Sequence, residues 1–301
     1  MKVLYVLDKG SNCWYVDAML THLQGLGQIE YTSIKLINYT KPEFDQDGFD
    51  VLVYQTFPDE SVKGKFNKAL IELGDELFLE FKGNKFLLDS FDDCSRNGYK
   101  RFPNSAPRIK VCATKSYQKK YNTAFIIPAF DMTSWFLPKD TGYQLPRTVP
   151  IHCAFKIDQR YPHTIRNQIK TALTDKFLNH TDFHRVPIGE YVHFLKSVRI
   201  SVGGPGYGQC SHAAYLALQA GTCLFHHESI DELQLLPHVD LEPGVDYVSF
   251  TMDSFDKTLQ FLLDHPNVAE AIGRAGQKKF YEGIDLNKSC EQLLTRFTYD
   301  I

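Results

Sequence analysis

Apolar positions along the first half of the chain follow two alternating spacings. Short runs dense in β-branched and aromatic residues, KVLYVLD at 2 to 8, IEYTSIKLI at 29 to 37 and FDVLVYQT at 49 to 56, read as strands. Between them, residues 14 to 26 carry apolar side chains at helical spacing, and a longer helix is predicted at about 60 to 82. KFLLDSFDD, RIKVCATK and AFIIPAF follow as further buried strands, separated by turn-rich segments. Strands alternating with helices predict a parallel sheet with helices on both faces.

Residues 131 to 149 hold two prolines and a glycine without clear periodicity, and the alternation starts afresh at IHCAF. The second half reads as strand 151 to 155, helices at about 162 to 178 and 187 to 196, strand VRISV, a glycine loop, helix 211 to 220, strands TCLFHH and DYVSF, then helices. Two Rossmann-like domains facing a cleft are predicted: residues 1 to 145 on the acceptor side, 146 to 285 on the donor side, and a final helix at 286 to 301 crossing back to the first domain. No internal repeat or low-complexity tract interrupts this plan.

Composition narrows the class without choosing a function. The 301 residues are 43% hydrophobic and 23% charged, enough for a large core, and the formal net charge of −3 argues against a dedicated nucleic-acid coat. Seven cysteines stand singly with no C-x-x-C pair, which fits a reducing compartment and suggests neither a zinc knuckle nor a disulfide framework. The opening apolar run is too short for a signal peptide and no stretch is long enough to span a membrane, so a cytoplasmic protein is expected.

Ligands of open α/β sheets lie outside the carboxyl ends of the strands, which directs attention to the loops there. In SVGGPGYGQCSHAAYLALQAGT, residues 201 to 222, four glycines in six positions precede an Ala-rich helix. Such a loop either presents bare amides and a helix dipole to an anion, or makes a tight turn against a neighbouring strand. Lys156, Arg160 and Arg166 follow the strand at 151 to 155, where guanidinium groups grip phosphate oxygens bidentately. Asp89, Asp92 and Asp93 close KFLLDSFDD, and Asp8 closes the first strand; these carboxylates suit a general base, a cation ligand or a helix cap. His226 and His227 are adjacent on a strand and point to opposite faces, so at most one lines a cleft. The segment from 100 to 120, with Lys100, Arg101 and Arg108 among its cations, is either an electrostatic footprint for a polyanion or a solvated face.

The stretch from VPIGEYVHFLKSVRISVGGPGYGQCSHAAYLALQAGTCLFHHESIDEL to LEPGVDYVSF resembles the donor domain of GT-B glycosyltransferases, especially exostosin-like and spore-maturation-type members; the layout is also similar to that of phage DNA β-glucosyltransferases. The resemblance implies transfer of a sugar from a nucleotide-diphosphate sugar to a glycan or hydroxymethylated DNA, with no metal and no cofactor beyond that co-substrate. It places Arg166, Arg160, Lys156, Gly204, Gly206, Tyr207, Gly208, Ser211, His212 and Glu228 at the donor. Asp92, with Asp89 and Asp8 behind it, becomes the catalytic carboxylate, and Lys100 and Arg101 fall on the acceptor side. One departure stands out: where the family carries Arg-x-x-Glu this chain has Ala213 and Leu216. Either other groups, such as His212, Glu228 or Asp231, take over those contacts, or the donor is unusual, or the domain binds a nucleotide or sugar without turnover.

Overall fold

A computed structural model describes residues 1–7, 14–35, 48–55, 68–89, 101–103, 105–110, 113–114, 123–126, 146–154, 164–205 and 212–299. The chain divides into two compact units, Met1–Asp131 with Asp285–Ile301, and Met132–Ile284.

Unit 1 contains β1 (Lys2–Leu7), α1 (Trp14–Gly25), β2 (Glu30–Lys35), β3 (Val51–Gln55), α2 (Lys68–Glu80), β4 (Asn84–Asp89), β5 (Arg108–Lys110) and β6 (Thr123–Ile126). Its six strands are all parallel in the order β2-β1-β3-β4-β5-β6. Side chains alternate across this sheet as the pleat requires. Val3, Tyr5, Val51, Val53, Phe86 and Leu88 face one core with Val16, Leu20 and Leu23 of α1. Leu4, Val6, Leu52, Tyr54 and Leu87 face the other with Phe78 of α2 and Phe102. Burial on both faces explains why these strands read as unbroken apolar runs.

Unit 2 contains β7 (Val149–His152), α3 (Ile165–Lys176), β8 (Thr181–Asp182), α4 (Ile188–Leu195), β9 (Val198–Gly203), α5 (His212–Gln219), β10 (Cys223–His227), β11 (Val248–Phe250), α6 (Phe255–Asp264) and α7 (Pro266–Gly283). Its parallel order is β11-β10-β9-β7-β8. The edge strand β8 was not predicted; two residues are too few to show a period. β7 begins two residues earlier than the pattern suggested, because the Val149 N–H already donates to the Ser197 carbonyl before the apolar run starts. Two further two-residue strands, Ala113–Thr114 and Leu233–Gln234, lie outside these sheets.

Helix α5 ends as its sequence predicts. Gly221 takes φ +68°, its N–H bonds the Leu218 carbonyl and that of Thr222 the Ala217 carbonyl, which is the Schellman arrangement. Helix α7 lies unusually close to its neighbours: a Cβ on Gly273 would stand 2.3 Å from the Gly221 carbonyl oxygen, and one on Gly276 2.2 Å from that of Asp246. The last helix, α8 (Leu286–Tyr299), belongs to unit 1. Its Cys290, Leu293 and Phe297 are buried in the core with Val3, Met19 and Phe86, and Asn84 donates to the Phe297 carbonyl at 2.8 Å. The fold class is therefore the expected one, two Rossmann-like units with a C-terminal helix returned to the first.

Candidate functional site at the carboxyl ends of the unit 2 strands

Both sheets share one topological property. In unit 1 the chain moves from β1 outward to β2 and then inward to β3; in unit 2 it moves from β7 outward to β8 and then inward to β9. Connections thus leave to opposite sides at β1/β3 and at β7/β9, and such a switch point is where the loops part and a ligand enters.

At the unit 2 switch point, Arg166 stands in the first turn of α3 and donates from Nε to the Gly204 carbonyl at 3.3 Å. Burial lowers its pKa from the ordinary guanidinium value, yet it remains a cation at any physiological pH. The amino end of α3 adds the positive end of a helix dipole at the same place.

Gly203 and Gly204 are not among the described glycines with positive φ, which are Gly27, Gly221 and Gly244. Their reason is crowding. A Cβ on Gly203 would lie 2.4 Å from Cδ2 of His226, its register partner on β10, and one on Gly204 would lie 2.7 Å from Cδ1 of Ile169 on α3. The two glycines let a histidine close on one face of the strand end and α3 on the other. For this pair, packing against the neighbouring strand and against α3 accounts for the glycines.

His226 is fully buried, and its Nδ1 lies 2.8 Å from the His227 carbonyl oxygen. Burial, with smaller contributions from the charges of His227 and Arg166, pushes its pKa down to about 4 against the bond to His227. His227 points the other way: its Nδ1 accepts from the Ser229 N–H at 3.2 Å, and its ring meets Phe250 edge-on. His152 lies buried at the end of β7, its ring edge-on to Phe194 at 4.8 Å. Glu228 is exposed just beyond β10, and the Asp231 carboxylate accepts the Tyr247 hydroxyl at 2.9 Å. Leu216 is buried at 1% exposure in α5.

Several predicted residues lie outside the described residues: Asp8, Asp92, Lys100, Lys156, Arg160, Gly206, Tyr207, Gly208 and Ser211. Asp89 is the last residue of β4 and His212 the first of α5, and their side chains are likewise outside. Arg101 is described: its Nε lies 2.5 Å from Asp75 and its guanidinium sits over the Phe102 ring. Arg108 is a correction to the basic segment. It sits at 0% exposure in β5, where its charge contributes nothing to a surface footprint. The segment was read as a charged face from its composition, whereas the pleat of the strand turned this side chain inward.

One residue escaped the sequence reading. Gln55 ends β3 at the unit 1 switch point, fully buried, with its Oε1 accepting the Tyr5 hydroxyl at 2.5 Å. The signal was a lone polar residue closing an apolar strand. His226 carried a signal too, in the paired histidines, but its choice of face needed the register. A groove of about 630 Å³ in unit 1, lined by Asp50, Asn84, Glu80, Lys82 and Phe297, opens at the opposite, amino ends of the strands. Among the described residues no cluster of His, Cys, Asp and Glu could hold a metal ion, and no helix is long and apolar enough to cross a membrane.

No protein-family model matches the sequence, and no curated protein sequence matches it. Solved structures do. Anabaena HepE in complex with UDP and glucose matches with a TM-score of 0.58 at 9% identity, covering 99% of this chain and 99% of that one. Sucrose-phosphate synthase from Thermosynechococcus elongatus matches at 0.59 and 12% identity, covering 99% and 98%. A glycosyltransferase from Rickettsia africae ESF-5 matches at 0.57 and 10% identity, covering 98% and 97%. At these identities the likeness is one of fold: the chain has the two-unit α/β architecture of GT-B glycosyltransferases, over its full length.

Proposed function

We propose that the protein is a glycosyltransferase that takes a sugar from a nucleotide-diphosphate sugar and passes it to an acceptor hydroxyl. The observation that carries this reading is Arg166, held at the unit 2 switch point by Gly204 and by the first turn of α3. A cation and a helix dipole converging there suit a diphosphate. The neighbouring folds support the same choice, since HepE was solved with UDP-glucose as well as with UDP and glucose.

In this reading a carboxylate of the cluster at 89 to 93, Asp92 first, takes the proton from the acceptor hydroxyl. The acceptor oxygen bonds the anomeric carbon as the bond to the diphosphate breaks, and the electron pair leaves with the diphosphate. Arg166, the amides of the loop from Gly204 to Ser211 and the dipole of α5 then stabilise that departing charge. Cations and dipoles suffice for this, so the reading requires no metal. Direct attack by the activated hydroxyl inverts the anomeric carbon. A neutral glycan is the acceptor we favour over hydroxymethylated DNA, because Arg101 is already paired with Asp75 and Arg108 is buried.

Calorimetric titration with UDP and UDP-glucose tests the reading. Binding by the wild-type protein and its loss in Arg166→Ala, with unfolding unchanged, is the expected result. Equal affinity in the variant removes Arg166 from the site. A second reading, a protein that binds the nucleotide sugar without turnover, draws on Leu216, buried where the resembling families place a glutamate. Release of free glucose from bound UDP-glucose, or its transfer to any acceptor, decides against that alternative.

A further inference from the structure

The imidazole of His226 has two nitrogens with different fates. Nδ1 lies 2.8 Å from the carbonyl oxygen of His227, and a carbonyl only accepts, so Nδ1 carries the hydrogen. In the neutral ring the lone pair is therefore on Nε2, and that atom is buried with no hydrogen-bond partner among the described residues. A buried acceptor left unsatisfied costs about 1 to 3 kcal/mol, so such an atom is uncommon unless something else fills its valence. The ring sits against Gly203, the residue that opens the glycine loop, and across the strand end from Arg166.

We propose that His226 is a donor-specificity residue whose Nε2 accepts a hydrogen bond from a hydroxyl group of the nucleotide sugar. This rests on the nucleotide-sugar reading and sharpens it by assigning different chemistry to neighbouring groups. A phosphate oxygen at neutral pH has no hydrogen to give and would meet a lone pair head-on; a hydroxyl has one. Protonating the ring to suit a phosphate is disfavoured by its burial and by the nearby Arg166 charge. Arg166 thus takes the diphosphate and His226 a hydroxyl. The histidine supplies an acceptor in a unit where Leu216 offers none.

The ribose and the transferred sugar both carry hydroxyls, and two variants with two probes separate them. Asparagine in His226→Asn keeps a donor near the Nδ1 position and deletes the outer acceptor; glutamine in His226→Gln restores an oxygen near the Nε2 position. Calorimetry is expected to give about a tenfold loss of affinity for His226→Asn and recovery in His226→Gln, the scale of one hydrogen bond. A loss with both UDP and UDP-glucose places the hydroxyl on the ribose, and a loss with UDP-glucose alone places it on the sugar. Wild-type affinity for both probes in His226→Asn overturns the assignment while leaving the donor site standing. Failure of the wild-type protein to bind either probe overturns both. Should His226→Asn not fold, ¹⁵N NMR of histidine-labelled wild type decides: Nε2 of His226 must be unprotonated in the free protein and shift on adding UDP-glucose, and a protonated or unmoved Nε2 ends the proposal.

Discussion

The two ends of the unit 2 sheet each hold an arginine, and the two side chains differ in what surrounds them. Arg147, at the amino ends, donates from Nη1 to the carbonyls of Leu195 and Val198 and to the Thr222 hydroxyl, at 2.8, 2.7 and 3.0 Å. From Nη2 it donates to the carbonyls of Ala220 and Gly221 at 3.1 and 2.7 Å. It closes the ends of α4 and α5 and the start of β9 with one planar fork. Arg166, at the carboxyl ends, meets the Gly204 carbonyl at 3.3 Å among two glycines and a neutral histidine. A guanidinium saturated by backbone oxygens is part of the scaffold. One placed beside a loop of glycines at a switch point is suited to an incoming anion, and a parallel sheet assigns these roles to its two ends.

Removing Arg147 should break this contrast most severely. Arg147→Ala strands several buried carbonyls and is expected to cost about 3 to 5 kcal/mol in urea unfolding; a loss under 1 kcal/mol would show that water replaces the fork. Next in size is an acid effect at the other end. The His226 pKa falls from 6.5 unfolded to about 4 folded, so between those values the unfolded chain binds the extra proton. Stability from keeping this ring neutral is complete above about pH 6.5 and is lost as pH falls toward 4, by up to about 3 kcal/mol at roughly 1.4 kcal/mol per unit. Arg166 and His227 are the charged groups acting on it. Unfolding of wild type and His226→Gln at pH 7 and pH 5 should differ in slope, and parallel curves would refute this.

Arg166→Ala follows, with about 1.5 to 3 kcal/mol lost from nucleotide-sugar binding and stability within about 1 kcal/mol of wild type. The opposite pattern, stability lost and affinity kept, would make the two arginines alike. The smallest effect belongs to the far end of α3, where Lys176 pairs with Asp256 at the surface. Lys176→Ala should change stability by less than about 1 kcal/mol, since both side chains are well exposed. A larger change in thermal unfolding would mean that α3 is held by its charge rather than by Ile169 and Leu173.

Much of the fold was legible because its signals are local. Helix α5 could be read at 211 to 220 and its stop from Gly221, since a left-handed C′ residue acts within one turn. Strands β1, β3 and β4 were legible because both of their faces are buried, and α8 because its apolar stripe needed a partner. The candidate site was legible only in part. Arg166 lies near a helix start and follows a strand, which the sequence displays. That Arg108 points inward, that β8 exists, and that Gln55 ends its strand against Tyr5 depend on pairing across residues distant in the chain.

By itself, the order of apolar runs and turn residues determined two α/β units, their parallel sheets and the loops worth examining, because pleat and helix periods are properties of neighbouring residues. Tertiary structure alone decided why Gly203 and Gly204 are glycines. Register sets His226 beside one and helix packing sets Ile169 beside the other, and neither contact has a trace within the loop. It also decided which arginine serves the scaffold, since five backbone and hydroxyl oxygens from three separate elements meet at Arg147 only once the sheet has formed.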